Sequence, residues 1–267
     1  MTPIPRNRAA IPVLMYHSIG VPARSSRFAA FVHSRELFAA HLDALLEAGF
    51  TPVRACDVLA AFAGQRVLPP RPVAITFDDA FDDFVTSAVP ELRARSMVCT
   101  VFVPTAFVGG RAAWLDEIGE GDRRILSADA LRSLDPEQIE VGAHSRTHPE
   151  LDRSPRRAAR AEIAGSRHEL EEWLDRPVRS FAYPFGYHSH AVRRSVAAAG
   201  FTGAFAVSDL VAQTGRDSRW AIPRLSAPPD ASVTIAQEIG RRRTLREDVR
   251  VQGWRFIWRL KRSMSRI

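Results

Sequence analysis

The chain has 267 residues, of which 46% are hydrophobic and 25% are charged, a balance that is typical of a globular protein and excludes disorder and fibrous repeats. The formal charge is +7, but residues 241–267 hold ten Lys or Arg and two acidic residues, which gives +8, while the rest holds 27 basic and 28 acidic residues, which gives −1. Because the excess charge lies in one terminal segment, it does not indicate a nucleic-acid-binding surface, and no nucleic-acid partner is expected.

Short β-rich runs alternate with helical patterns along the chain. The predicted strands are residues 11–16, 73–77, 98–103, 139–142, 180–183 and 203–207. The predicted helices are residues 34–48, 154–174 and 189–199, and a short helix from Ser127 is expected within a long loop at 108–135. This alternation is typical of a parallel α/β sheet or barrel. We expect one domain at 1–240 and a separate basic segment at 241–267.

Neither the cysteines nor the N-terminus indicates export. Cys56 and Cys99 are the only cysteines, which is too few for a disulfide framework, and core thiols are the favoured interpretation. The apolar run 11–16 is too short for a signal sequence or a membrane span. The sequence therefore predicts a cytoplasmic protein without a signal peptide or transmembrane segment.

Two adjacent carboxylates, Asp78 and Asp79, end the apolar strand 73–77. In a parallel α/β fold, active sites gather at the carboxyl ends of the strands. Within a strand the two side chains would point to opposite faces, but a turn at the strand end can bring both into one pocket. A helix cap or a simple turn is the alternative.

Two histidines, His144 and His148, follow the strand at 139–142. Imidazoles four residues apart can converge on one ion if the segment forms a helical turn. With one carboxylate they supply three ligands, the number typical of a catalytic metal site with an open position. Two unrelated surface histidines are the alternative.

Two further segments also end predicted strands. In residues 180–186 the strand breaks into Tyr183-Pro184-Phe185-Gly186, which by itself indicates only a turn. His17 ends the first strand, and a single histidine in such a place is more often structural than catalytic.

Together these segments resemble the polysaccharide deacetylases of carbohydrate esterase family four, the NodB-like domain. Residues 76–79 (TFDD) are similar to the first motif of that family, residues 144–149 (HSRTHP) to the second, and residues 181–186 (FAYPFG) to a variant of the third. The resemblance covers roughly residues 11–226 in the expected order.

The resemblance implies a distorted (β/α) barrel that removes N-acetyl groups from N-acetylhexosamine units of a polysaccharide or glycolipid. Asp79, His144 and His148 would hold a divalent metal ion, with Zn²⁺ favoured, and Asp78 would be the general base. The ion would polarise the acetamide carbonyl and acidify the attacking water. A backbone N–H at Phe185 would help to stabilise the oxyanion.

The sequence departs from the family pattern in two places. The third motif has Ala182 where many members have Arg, so Arg224 is the candidate substitute, with a surface or core-edge arginine as the alternative. No histidine occurs after His190, which leaves the late general acid of the family without a counterpart. The pair Tyr16-His17 resembles an N-terminal motif of biofilm poly-N-acetylglucosamine deacetylases, so His17 is the expected general acid, a role suited to imidazole.

Three aromatic residues, Tyr183, Phe185 and Trp114, are the expected substrate-binding residues, although core packing is an equal alternative for Trp114. Two other functions stay open: a catalytically inactive carbohydrate-binding module of the same fold, and a C–N hydrolase that acts on small amides.

Four arginines in the basic segment recur at helical spacing, at positions 255, 259, 262 and 266, with Trp254 and Trp258 elsewhere on the same projected helix. Such a segment suits peripheral contact with an anionic membrane, where a lipid-linked sugar would be available. A terminal helix docked on the barrel is the alternative.

Overall fold

The computed structural model describes residues 9–21, 26–228 and 239. Within these ranges the strands are, in chain order, β1 (Ala10–Ile11), β2 (Val13–Tyr16), β3 (Ser18–Ile19), β4 (Val32–His33), β5 (Thr51–Val53), β6 (Pro72–Phe77), β7 (Cys99–Val103), β8 (Ile139–Ala143), β9 (Ser180–Ala182), β10 (Gly203–Val207), β11 (Ala212–Gln213) and β12 (Ile222–Ser226). The α-helices are α1 (Arg35–Glu47), α2 (Ala55–Phe62), α3 (Val89–Ala94), α4 (Ala128–Arg132), α5 (Arg156–Leu174) and α6 (His190–Ala198). Short 3₁₀ or π-helical segments lie at Ala29–Phe31, Phe84–Ala88, Thr105–Phe107, Ala113–Ile118 and Pro184–Gly186.

Seven parallel strands close into a barrel in the order β2, β12, β10, β9, β8, β7, β6 and back to β2. Strand β5 pairs with the first half of β6. Helices connect successive strands and cover the barrel from outside. The predicted α/β barrel is therefore confirmed, as a single domain over the described residues.

The barrel strands are buried on both faces, as strands between a packed interior and a layer of helices must be. Every residue of β6 and of β7 is buried. Helix α1 shows how the outer layer forms: Ser34 accepts a hydrogen bond from the backbone N–H of Leu37, and Phe38, Leu42 and Leu45 face the core.

The six predicted strands correspond to barrel strands, with small shifts at their ends. The run 11–16 is divided at Pro12 into β1 and β2, and α5 begins at Arg156 with Pro155 as its N-cap. Ser127 and Ser189 cap α4 and α6, each accepting a backbone N–H. The elements that were not predicted are strands β3, β4, β5, β11 and β12 and helices α2 and α3.

Both cysteines are free thiols, and Cys99 is fully buried in β7, whereas Cys56 is partly exposed. None of the helices described combines the length and the apolar character that a bilayer span needs. The basic segment 241–267, with its predicted arginine stripe, lies outside the described residues, so the boundary at 240 stays a prediction.

Candidate metal centre and active site

The four expected metal-site and base residues and His17 lie at one rim of the barrel. Because all seven strands are parallel, their carboxyl ends share that rim. His17 follows β2, Asp78 and Asp79 follow β6, and His144 follows β8. Strands β2 and β6 are neighbours with Tyr16 opposite Phe77, which places His17 beside Asp78.

Asp79, His144 and His148 form a buried three-residue cluster whose ligand atoms all lie within 4.8 Å of one another. The Oδ1 atom of Asp79 is 3.6 Å from Nε2 of His144 and 3.4 Å from Nε2 of His148. The loop after β8 turns back sharply, which brings two histidines of one segment onto the same carboxylate.

The donor set of this cluster fits a divalent cation. Nδ1 of His144 lies 2.8 Å from the carbonyl oxygen of Ala182, and since a carbonyl only accepts, Nδ1 carries the proton and Nε2 presents a lone pair to the cluster. Oδ1 of Asp79 is buried and has no hydrogen-bond partner among the described residues. The lone pair of an imidazole nitrogen that lies 3.6 Å from a carboxylate oxygen without a hydrogen-bond partner is the kind of ligand pair that a divalent ion such as Zn²⁺ takes.

The pKa shifts of the three residues in the cluster also support a bound cation. Burial lowers the pKa of His144, and burial together with the neighbouring His144 lowers the pKa of His148 well below its ordinary value. Burial and the adjacent Asp78 raise the pKa of Asp79 well above its ordinary value. The histidines are therefore neutral at pH 7, as metal ligands must be, and the buried Asp79 carboxylate calls for a compensating cation.

Backbone strain is concentrated at this rim. Positive φ angles occur at Asp79 (72°), Ser145 (64°), His148 (55°) and Phe185 (58°), none of which is glycine. L-residues adopt this region at a cost, and such residues cluster at functional sites. The turn at Asp79 is what brings Asp78 and Asp79 into one site although they are adjacent in sequence.

Arg224, in strand β12, forms a bidentate salt bridge with Asp78. Nη1 and Nη2 of Arg224 donate to Oδ1 and Oδ2 of Asp78, each at 2.7 Å, and Nη1 is also 3.2 Å from the hydroxyl of Thr76. Both side chains are almost completely buried. Burial opposes ionisation of Asp78, but the charge and hydrogen bonds of Arg224, aided by His144, overcome this and hold the pKa of Asp78 well below its usual range.

His17 lies partly exposed at the edge of the same site, with its ring centroid 4.8 Å from that of Phe31. Burial lowers its pKa to about 4, against the opposing charge of Asp78. The imidazole is therefore neutral at pH 7 in the protein without substrate.

Two of the three predicted substrate-binding aromatics lie against His148. The Trp114 ring stacks on His148 with centroids 5.0 Å apart and is partly buried between His148 and Phe107. The Phe185 ring meets His148 edge-on at 4.7 Å and is 51% exposed. Gly186 holds this turn, since its φ is +72° and a Cβ there would lie 2.6 Å from Val207. Phe185 thus faces solvent beside the metal cluster.

The side chain of Tyr183 is not brought into the site. Its ring is fully buried and its hydroxyl donates to the carbonyl oxygen of Trp220 at 2.8 Å. It anchors the loop that carries Phe185. Conversely, sequence reasoning missed Phe31 and Thr76, which contact His17 and Arg224. Thr76 lies within the first motif, and nothing in the sequence singles out Phe31.

Comparison with known proteins agrees with this geometry. The polysaccharide deacetylase family profile matches residues 65–204. Protein YxkH of Bacillus subtilis (strain 168), which bears a polysaccharide deacetylase name, is 24% identical over 195 residues, covering 72% of this chain and 63% of YxkH, so the chain spans less than two thirds of that relative.

Two solved structures share the fold. The Streptococcus pyogenes deacetylase PplD in complex with acetate superimposes with a TM-score of 0.72 at 21% identity, covering 85% of this chain and 96% of PplD. IcaB from Ammonifex degensii superimposes with a TM-score of 0.73 at 23% identity, covering 87% and 97%. With a family match over more than half of its length, a barrel of the same fold and a buried Asp-His-His cluster, the chain belongs to the polysaccharide deacetylase family.

Proposed function

We propose that this protein is a metal-dependent N-deacetylase that hydrolyses the N-acetyl group of N-acetylhexosamine units in a polysaccharide or glycolipid. The observation that carries the proposal is the juxtaposition of the Asp79-His144-His148 cluster with the Arg224-clamped carboxylate of Asp78. A site that places a set of metal ligands beside a separate, ionised carboxylate is suited to hydrolysis by water, whereas a module that only binds carbohydrate needs no such carboxylate.

Asp79, His144 and His148 would hold the metal, with Zn²⁺ favoured because the set is two imidazoles and one carboxylate. When bound, a divalent ion supplies Lewis acidity toward the acetamide carbonyl and toward water. Ala182 fixes the ring of His144 through its carbonyl. We assign Asp78 as the acceptor of the proton that the attacking water loses, because Arg224 keeps it ionised.

His17 is the proposed proton donor to the departing amine. With a pKa of about 4 it is neutral before substrate binds, so it must gain the proton that it donates during the reaction. The proton that the neighbouring Asp78 takes from the attacking water is the source, and its transfer to His17 returns Asp78 to the carboxylate. Negative charge that develops on the tetrahedral intermediate favours the charged imidazolium. The C–N bond then breaks as the nitrogen receives this proton, which leaves acetate and a free amine.

The groove around the site supports a sugar substrate. Phe185 exposes half of its surface beside His148, and Trp114 backs the same histidine. We assign Phe185 to contact with the substrate ring and Trp114 to the wall that fixes His148, while the backbone N–H of Phe185 is the proposed oxyanion donor. The Tyr16-His17 motif, which resembles that of poly-N-acetylglucosamine deacetylases, supports a substrate built from N-acetylglucosamine units.

Acetate release tests this function directly. An N-acetylglucosamine oligomer and a small acetamide are compared at equal acetyl concentration, with the Asp78→Asn variant as control. The proposal expects release from the oligomer only, at least 100-fold lower in the variant. Release from the small amide alone would indicate a small-amide hydrolase, and metal binding without release from either would indicate a non-catalytic binding module.

We also propose that the basic segment 241–267 brings the enzyme to an anionic membrane from the cytoplasmic side, where a lipid-linked sugar is accessible. Its charge of +8 and its two Trp at helical spacing support this assignment. Deletion of residues after Gly240 should abolish co-sedimentation with phosphatidylglycerol vesicles. Unchanged sedimentation would contradict the assignment.

A further inference from the structure

A groove of about 350 Å³ runs between α5 and α6 on the outside of the barrel. Three arginines line it, Arg156 and Arg160 from α5 and Arg194 from α6, and its other lining side chains are small: Ala164, Ala191, Ser195, Ala198 and Ala199. Because alanine and serine fill little space between two packed helices, the groove stays open and the guanidinium groups border it.

These arginines lack acidic partners among the described residues. None of the ion pairs found there includes Arg156, Arg160 or Arg194. The acidic side chain on this half of α5, Glu162, is engaged by the backbone N–H groups of Arg146 and Thr147. The groove therefore concentrates about three positive charges, although residues 1–240 as a whole carry −1 (27 − 28).

Arg167, farther along α5, differs from the three groove arginines because it has partners within the protein. It pairs with Glu171 at 3.0 Å and donates to the carbonyl oxygen of Ala199 at 2.6 Å. A structural arginine of this helix is thus fully engaged with protein groups, whereas the three groove arginines offer their donors to solvent.

A second cavity, of about 230 Å³, continues this surface on the other side of Arg194. It is lined by His190, Arg193, Arg194, Ala197, Ser218 and Trp220. Arg194 therefore belongs to both cavities, and the two form one continuous strip with an indole ring at its far end. A strip of this kind accommodates a chain of several units rather than a single small ion.

The strip also lies close to the active site along the chain. Helix α5 follows the loop that carries His144 and His148, and α6 follows the turn that carries Phe185, so both helices start at the rim that holds the metal cluster. The groove runs from Arg156 and Ala191, in the first turns of α5 and α6, toward Ala199 at the end of α6, so one end of it lies on the side of the barrel that holds the metal cluster.

We propose that the α5/α6 groove binds phosphate groups of the substrate, which makes the preferred substrate a phosphate-bearing N-acetylated glycan, either a soluble polymer or a lipid-linked sugar. Guanidinium groups match phosphate with paired hydrogen bonds, and a phosphate has enough oxygen atoms to serve several arginines at once. The identity of the ligand as substrate rests on the proposed function, but phosphate binding in the groove does not.

Binding of inorganic pyrophosphate to the full-length protein, measured by titration calorimetry, tests the groove itself. The double variant Arg160→Gln/Arg194→Gln should weaken this binding at least 10-fold. Arg157→Gln is the matched control, since Arg157 is an exposed arginine of the same helix that does not line the groove, and it should stay within twofold of wild type. Equal effects of the two changes, or no binding of pyrophosphate to wild type, would overturn the proposal.

Two further arms identify the source of the phosphate. If it belongs to a soluble glycan, the double variant raises KM at least fivefold for a phosphorylated N-acetylglucosamine oligomer and leaves the neutral oligomer unchanged. If it belongs to a lipid, the double variant instead lowers co-sedimentation with phosphatidylglycerol vesicles at least fivefold. An effect in neither arm would overturn the assignment of the ligand as substrate. Absence of acetate release from every substrate, with pyrophosphate binding intact, would refute the proposed function and leave the groove assignment standing.

Discussion

The Arg224→Gln substitution should destabilise the protein strongly at neutral pH. The two hydrogen bonds of 2.7 Å between Arg224 and Asp78 lie in an environment where both side chains are nearly inaccessible to water. Removing one partner of a buried pair leaves the other charge uncompensated, which costs about 3–5 kcal/mol. A typical domain has 5–15 kcal/mol in total, so the variant should still fold with a clearly lower urea midpoint.

The loss of stability caused by Arg224→Gln should depend on pH. In the wild type, Arg224 holds the pKa of Asp78 well below its ordinary value, so the stabilisation is complete above about pH 4 and is lost only at lower pH. In the variant, burial without Arg224 raises that pKa, so ionisation of Asp78 destabilises the folded state increasingly as the pH rises above about 4. The difference between the two proteins should therefore be larger at pH 7 than at pH 5.

The assay is urea unfolding of the metal-free protein at both pH values. The single variant Asp78→Asn and the double variant Asp78→Asn/Arg224→Gln complete a double-mutant cycle with Arg224→Gln. Because the variant Asp78→Asn/Arg224→Gln leaves neither residue of the pair charged, it should be more stable than the sum of the single effects predicts, by about 2 kcal/mol or more. A cost below about 1 kcal/mol for Arg224→Gln at pH 7, or additive single effects, would refute the role of Arg224 as the buried partner of Asp78.

Three other changes separate the roles of the site residues and of a buried histidine outside it. Asp79→Asn should abolish metal binding, measured by atomic emission, and acetate release together; retained metal would contradict its place in the cluster. His17→Ala should keep stoichiometric metal but lower kcat about 100-fold or more, and a near-normal rate would remove it as the proton donor. His41 is buried with a pKa lowered to about 4 by burial, so the unfolded chain gains a proton near pH 6.5 that the folded protein does not accept, and stability falls as the pH drops from about 6.5 to 4. His41→Gln should flatten this fall in urea midpoints, and an unchanged slope would show that other groups cause it.

The fold was predictable from sequence where the local pattern and the tertiary structure agree. Buried parallel strands such as β6 and β7 are apolar runs in the sequence, and the serines at 34, 127 and 189 mark helix starts correctly. The two strands of the main sheet that were missed each contain a proline at their second position, Pro52 in β5 and Pro223 in β12, which weakens a strand signal.

The sequence was sufficient to predict which residues form the site, but not the contacts between their side chains. Asp79, His144 and His148 come together because strand ends share one rim and because the backbone turns at positive φ, and the first of these reasons follows from the α/β pattern. The clamp between Arg224 and Asp78 joins residues 146 positions apart, through a strand whose sequence does not read as one. The burial of Tyr183 was equally hidden, because an aromatic residue beside a motif looks the same in sequence whether it faces the core or the groove.

Metal content and its effect on acetate release test the central claim most directly. The purified protein is assayed for bound metal and for acetate release from an N-acetylglucosamine oligomer, before chelation, after chelation and after return of Zn²⁺. The account predicts about one metal ion per chain, loss of release on chelation and recovery with Zn²⁺. Release that is unaffected by complete removal of metal, or failure of the protein to bind any divalent ion, would contradict it.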